Sequence, residues 1–185
     1  MKKLFQTLVV LLVTTSVIGI SSCNKELDVL YNMPDYEFCI PAQTYSSSTG
    51  LVQYFPLDKD LIKKAFDAAS ADFSEGKITS AKITGITLKT SEAKNTLSAV
   101  AKGVQGYIVN SHSSALDDKS MVASTNTNIS TGATEIELSV SGIDLTSLLA
   151  SSDTTYLALK VWNVDNSPAA CVKLTKGVIK FNVKK

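Results

Sequence analysis

The chain has one histidine, His112, set among hydroxyls in Asn110-Ser111-His112-Ser113-Ser114. One imidazole is too few for a His-rich metal site, but it can serve as a general base because its ordinary pKa lies beside neutral pH. A Ser-His-Asp relay with Asp117 or Asp118 lacks its presenting element, since no Gly-x-Ser-x-Gly stretch occurs to force a serine onto a sharp turn. His112 therefore reads first as a solvated loop residue. Paired carboxylates do acid and base work on glycosidic bonds, and the close sets are Asp58/Asp60, Asp117/Asp118 and Glu135/Glu137. Each has a plainer role: a helix cap, a turn, and the wet face of a strand. Asp117-Asp118 and Asp165-Asn166 offer loop oxygens to calcium, without the Asp-x-Asp-x-Asp-Gly alternation of a dedicated site. Gly103 and Gly106 are followed by neither a Gly-Lys-Ser ending nor a helix, so they do not make a phosphate loop. The expectation is a protein that is not an enzyme, with no catalytic, cofactor-binding or metal-binding residues.

Recognition chemistry is better represented. Tyr156 and Trp162 share the parity of Lys160 and alternate with Leu157, Leu159 and Val161, so a strand here carries both rings on the face opposite the aliphatic one. Flat aromatics beside hydrogen-bonding groups stack on sugars, which makes Tyr156 and Trp162 a candidate ligand face. The competing arrangement, and the commoner fate of large aromatics, has a helix lying over them. Cys39 and Cys171 also point away from apolar faces: Cys39 opposes Phe38 and Ile40, and Cys171 opposes Val172 and Leu174. In an oxidising compartment they are either a disulfide, closing a loop of more than 100 residues if their strands are neighbours, or two separate thiols at strand edges.

The elements that must position these residues read as short strands. Apolar residues recur every second position between Gly, Ser, Asn and Asp clusters. Tyr36, Phe38 and Ile40 make one strand, Leu51 to Phe55 another, and Ile78 to Thr90 a long one. Its apolar phase changes from Ala81 and Ile83 to Ile86 and Leu88, so Gly85 marks a bulge or bend. Further strands carry Val104 to Ile108, Met121 with Ala123, Ile136 to Val140, Leu157 to Val161, Val172 with Leu174, and, after a turn at Lys176-Gly177, Ile179 to Val183 or their out-of-phase partners. One helix stands out, capped by Asp58, with Leu61, Ile62, Ala65, Phe66 and Ala69 on one face and an end between Asp72 and Gly76. Asp144 caps a further helical turn up to Leu149. About eight strands without regular crossover helices predict an all-β fold, an antiparallel β-sandwich-like domain with one inserted helix, and a closed β-barrel is the alternative.

Composition limits the partners. All 18 basic residues are lysines, against 17 acidic ones. The bidentate guanidinium fork is absent and neither sign dominates, so nucleic acid is not an expected partner.

The amino terminus supplies an address. Met1-Lys2-Lys3, an apolar run from Leu4 to Ile20 and the ending Ser21-Ser22-Cys23 form a charged region, a hydrophobic region and a small-residue exit. A run of about 17 residues is short for a spanning helix. Ile20-Ser21-Ser22-Cys23 resembles the lipobox of bacterial lipoproteins, and the chain resembles small envelope lipoproteins of the Bacteroidota type. The resemblance implies diacylglycerol on Cys23, cleavage before it and acylation of the new amine; two or three chains then make release from the membrane negligible. It divides the chain into a signal peptide over 1–22, a lipidated terminus and tether over 23–34, and one sandwich-like domain over 35–185. No aspartate follows Cys23 directly, which in this family favours the outer membrane, and Lys25-Glu26-Leu27-Asp28 loosely resembles a surface-export signal; the periplasmic and the surface-exposed side stay open. Asp153-Thr154-Thr155 resembles an O-glycosylation acceptor of such proteins, with the glycan on Thr154. The expected function is a non-catalytic binding or structural module of the envelope, held to the membrane by its lipid, with a glycan or envelope protein as partner. The alternative is a carrier holding an apolar ligand in a sandwich or barrel cavity.

Overall fold

A computed structural model of the chain describes residues 26–184 except 75, 93–94, 126–127, 152–153 and 164–167. The expected signal peptide over 1–22, Cys23, Asp153 and Asp165-Asn166 lie outside the described residues. The fold is an all-β sandwich of two five-stranded antiparallel sheets. Among the described residues the sheets do not close into a barrel.

The strands are β1 (Glu26–Asn32), β2 (Tyr36–Ile40), β3 (Leu51–Leu57), β4 (Ile78–Thr90), β5 (Gly103–Val109), β6 (Met121–Ser124), β7 (Glu135–Glu137), β8 (Ser139–Val140), β9 (Thr155–Trp162) and β10 (Ala170–Lys184). The first sheet has the order β1-β10-β4-β7, with β2 also on β10; the second runs β3-β9-β5-β6-β8. The inner faces meet in one core whose fully buried side chains include Phe181, Ile86, Leu88, Ile108, Leu157 and Leu159. Each such burial contributes about 1.5–3 kcal/mol.

Three elements depart from the sequence expectations. The domain expected over 35–185 starts earlier, because Glu26–Asn32, expected in the tether over 23–34, is a strand. Val29 and Tyr31 alternate into the core and β1 pairs with β10 from Glu26↔Lys184 to Asn32↔Val178. The expected turn at Lys176-Gly177 is a bulge inside one continuous strand. Lys176 takes a positive φ of 52°, and the buried phase moves from Val172 and Leu174 to Ile179 and Phe181. The partner strand changes phase at the same place, at Gly85 as anticipated, with Leu174 opposite Leu88 on one side and Ile179 opposite Ile83 on the other. Two matched bulges keep both strands facing the core while the sheet coils. Finally, the expected strand over Ile136–Val140 changes sheets. Glu135–Glu137 pairs with β4 in the first sheet and Ser139–Val140 with β6 in the second, and Leu138 drops into the core between them.

The helix α1 spans Lys59–Ala68, shorter than expected because Ser70, at φ 53°, turns the chain out of the helix. Asp58 caps it, its Oδ1 accepting from the Asp60 and Leu61 amides. Ile62 and Phe66 enter the core, where the Phe66 ring meets Phe181 at 5.1 Å and Phe73 at 4.9 Å. A short α2 covers Leu97–Val100, and α3 covers Thr146–Ser151. Asp144 starts α3 as anticipated and also fastens it to the sheet: its Oδ1 accepts from the Thr146 amide, the Thr146 hydroxyl and the Ala81 amide of β4.

Candidate functional site

The outer faces of the two sheets differ in kind. On the first, one row reads Glu37–Lys173–Lys89–Glu135 across four strands. Lys180 pairs with Asp28 at 2.7 Å and Lys176 with Glu135 at 3.0 Å. This is a solvated, charge-balanced surface.

On the second, β9 presents Tyr156, Ala158, Lys160 and Trp162 outward, as its parity predicts. The flanking strands add Pro56 and Val109 beside Tyr156, Tyr54 and Tyr107 beside Ala158, Val52 and Gln105 beside Lys160, and Gly103 beside Trp162. Lys160 is the only charged residue in these rows. Tyr107, Val109 and Ala158 are buried outside the main core, under Leu116 and Met121. Burial, with Asp118 and Asp117 nearby, pushes the Tyr107 phenol up from its ordinary pKa, and its hydroxyl donates to Gln105 Oε1 at 2.8 Å.

Two aromatic platforms result. At one end the exposed His112 ring lies 4.4 Å from Tyr54 and 4.5 Å from Tyr156, while the Tyr54 hydroxyl donates to the His112 carbonyl at 3.0 Å. At the other end the indole of Trp162 lies on the bare backbone of Gly103, where any Cβ would collide with the ring. The Lys160 stem crosses Gly50 in the same way, and its ammonium donates to the Ser48 carbonyl at 3.1 Å. Tyr156 and Trp162 are six positions apart along β9, about 20 Å of strand. Both Tyr156 and Trp162 are half-buried, less open than a fully exposed face. They are not beneath the helix, because α1 directs Ile62 and Phe66 into the sandwich against Phe181. Tyr156 is partly covered instead by the 110–120 loop through His112 and Leu116, and Trp162 lies against Gly103.

The other candidates hold structural positions. Asp58 is the α1 cap with Asp60 in its first turn, and Glu135 is paired with Lys176. Asp117 Oδ1 accepts from the Ser120 hydroxyl and the Ser120 and Lys119 amides, which holds its carboxyl below the usual range. The His112 ring packs against those of Tyr54 and Tyr156. Gly103 and Gly106 lie within β5, and Thr154 is exposed immediately before β9. Among the described residues no group of three His, Cys, Asp or Glu side chains could hold a metal ion, and no helix is long and apolar enough to cross a membrane. Cys39 and Cys171 are directly opposite in the β2–β10 ladder and form a disulfide on the outer face of the first sheet.

A second concavity lies at the end of the sandwich, between α1, α3 and the loop at 71–74. It has a volume of about 170 Å³; Phe73, Ile78, Ala81, Leu149 and Phe181 line it, with Lys59, Ser74 and Thr146 among its lining. A small recess of about 10 Å³ adjoins it, walled by Leu57, Ile62 and Thr155 and by four residues of the larger pocket.

Tyr54, Tyr107 and Gly103 are absent from the sequence-based candidates. The parity of Val52 and Tyr54 against Phe55 and Leu57 carried a signal for Tyr54. Gly103 had none, because its role depends on being opposite Trp162 across the sheet. No protein-family model matches the sequence, and no curated protein matches it.

Proposed function

We propose that the protein is an outer-membrane lipoprotein anchored through Cys23 and a non-catalytic binding module of the envelope, with the outer face of its second sheet taking a glycan. The observation that carries this reading is the contrast between the two outer faces. One is charged and self-paired; the other is aromatic, nearly uncharged and bordered by hydroxyl, amide and ammonium groups. Sugar rings present apolar C–H faces and hydroxyl edges, which such a surface complements. Trp162 is the protein's one tryptophan, so its fluorescence reports directly on occupancy.

Titration with a panel of neutral and acidic polysaccharides is expected to shift Trp162 emission saturably for at least one of them. Tyr156→Ala and Trp162→Ala are each expected to weaken that binding by up to about tenfold, the scale of one lost aromatic contact. Both rings are half-buried, so each substitution is also expected to cost about 1 kcal/mol of stability. Unchanged affinity in both folded variants would remove the glycan reading.

A further inference from the structure

Thr155 opens β9 with its side chain turned inward, and it is 1% exposed. Its hydroxyl has no hydrogen-bond partner. A buried hydroxyl without a partner costs stability that valine, of the same shape, would not. The recess it faces is about the size of one water. A water needs two to four polar neighbours to stay in such a place, and apart from Thr155 and Lys59 the walls are Leu57, Ile62, Phe73, Leu149 and Phe181. The recess adjoins the 170 Å³ pocket and shares Phe73, Leu149 and Phe181 with it. An apolar cavity of roughly 150 Å³ is enough to admit benzene. Phe73 and Phe181 supply aromatic walls, and Ala81, packed at the floor, leaves the space that a larger residue would fill.

We propose that this end pocket is a binding site for a small monocyclic aromatic molecule bearing a hydroxyl, with the ring between Phe73, Leu149 and Phe181 and the hydroxyl bonded to Thr155. The site is separate from the aromatic outer face and does not depend on the glycan reading. The occupant's hydroxyl would satisfy the unpartnered hydroxyl of Thr155, and its ring would lie among the apolar residues beside it. Neither a purely aliphatic occupant nor a water does both.

The test is an NMR titration of the protein with phenol and, separately, with toluene. Saturable shifts at Phe73, Leu149 and Thr155 are expected with phenol. Thr155→Val, which keeps the shape, is expected to weaken phenol about fivefold, the scale of one hydrogen bond, while toluene binding changes by less than about twofold. Ala81→Leu is expected to abolish both by filling the pocket; if that variant does not fold, the shift map and Thr155→Val decide. A Tyr156→Ala/Trp162→Ala double variant is expected to bind phenol normally, which separates this site from the outer face. The proposal is overturned if neither probe gives saturable shifts, if Thr155→Val weakens both probes equally, or if the shifts fall on Tyr156 and Trp162 instead of the pocket.

Discussion

Tyr31 projects from β1 into the core, 1% exposed, and its hydroxyl approaches the Asp58 backbone without forming a hydrogen bond of good geometry. Burial, assisted by Tyr36, pushes its pKa up to about 12 from an ordinary 10. The folded protein therefore holds this proton over a range in which the unfolded chain releases it. The stability linked to Tyr31 is complete below pH 10 and is lost as pH rises through 12, up to about 2 kcal/mol. Tyr31→Phe is expected to leave stability at pH 7 unchanged or raised by up to about 1 kcal/mol and to flatten the alkaline loss, as urea titrations at pH 8 and pH 11 would show. Asp144 has the opposite sign. Its burial alone would raise the pKa, but hydrogen bonds from the Ala81 amide and from the hydroxyl and amide of Thr146 outweigh it, so the carboxyl is held below its usual value. That contribution is present above the unfolded pKa and disappears as pH falls through the folded one. Asp144→Ala is expected to cost about 1 kcal/mol at neutral pH and to make the acid limb shallower.

At the scale of elements, what the sequence revealed was period, and what it concealed was partnership. Gly85 was legible as a bulge because Ile83 and Ile86 break the alternation on either side of it. Lys176-Gly177 carries the same phase change but reads as a turn. Only pairing with β4, and the Met33 amide donating to the Gly177 carbonyl at 2.8 Å, shows the strand to be continuous. The strands of Cys39 and Cys171 are neighbours because β2 pairs with the first part of β10, Ala170–Leu174, and β1 with the part beyond the bulge. The sheet change at Leu138 left no mark, since alternation is the same whichever sheet receives a strand. β1 was hidden because Glu26 and Asp28, its outward residues, read together with the leader. The candidate face was half legible: parity placed Tyr156 and Trp162 outward, but Tyr54, His112 and Gly103 reach them only through long-range register. Gly103→Val is expected to lift the indole off the sheet, red-shift Trp162 emission and weaken any ligand of that face as much as Trp162→Ala does. Removing the disulfide with Cys39→Ala and Cys171→Ala is expected to lower stability by up to about 5 kcal/mol, since a loop with a sequence separation of 132 loses its closure constraint in the unfolded chain.

For the molecule as a whole, the proposed anchor makes a separate prediction. Cys23→Ala should leave an unlipidated precursor that no longer partitions into detergent and is not cut before residue 23; an unchanged partition and amino terminus would remove the address. The connection between that anchor and the fold is β1, whose first residue, Glu26, lies opposite Lys184 at the end of β10. A pull on Cys23 would therefore enter at one end of the β1–β10 ladder and open it one rung at a time, the weak direction for a pair of strands. The Cys39–Cys171 bond sets the limit of that opening. Only residues 26–38 can peel away, about 45 Å of extended chain, before the load crosses the sulfurs to the start of β10. Under shear from a bound polymer the protein would behave as a tether with a stop, lengthening by a fixed amount as β1 and most of β2 leave β10, while the second sheet keeps the strand pairing that carries Tyr156 and Trp162.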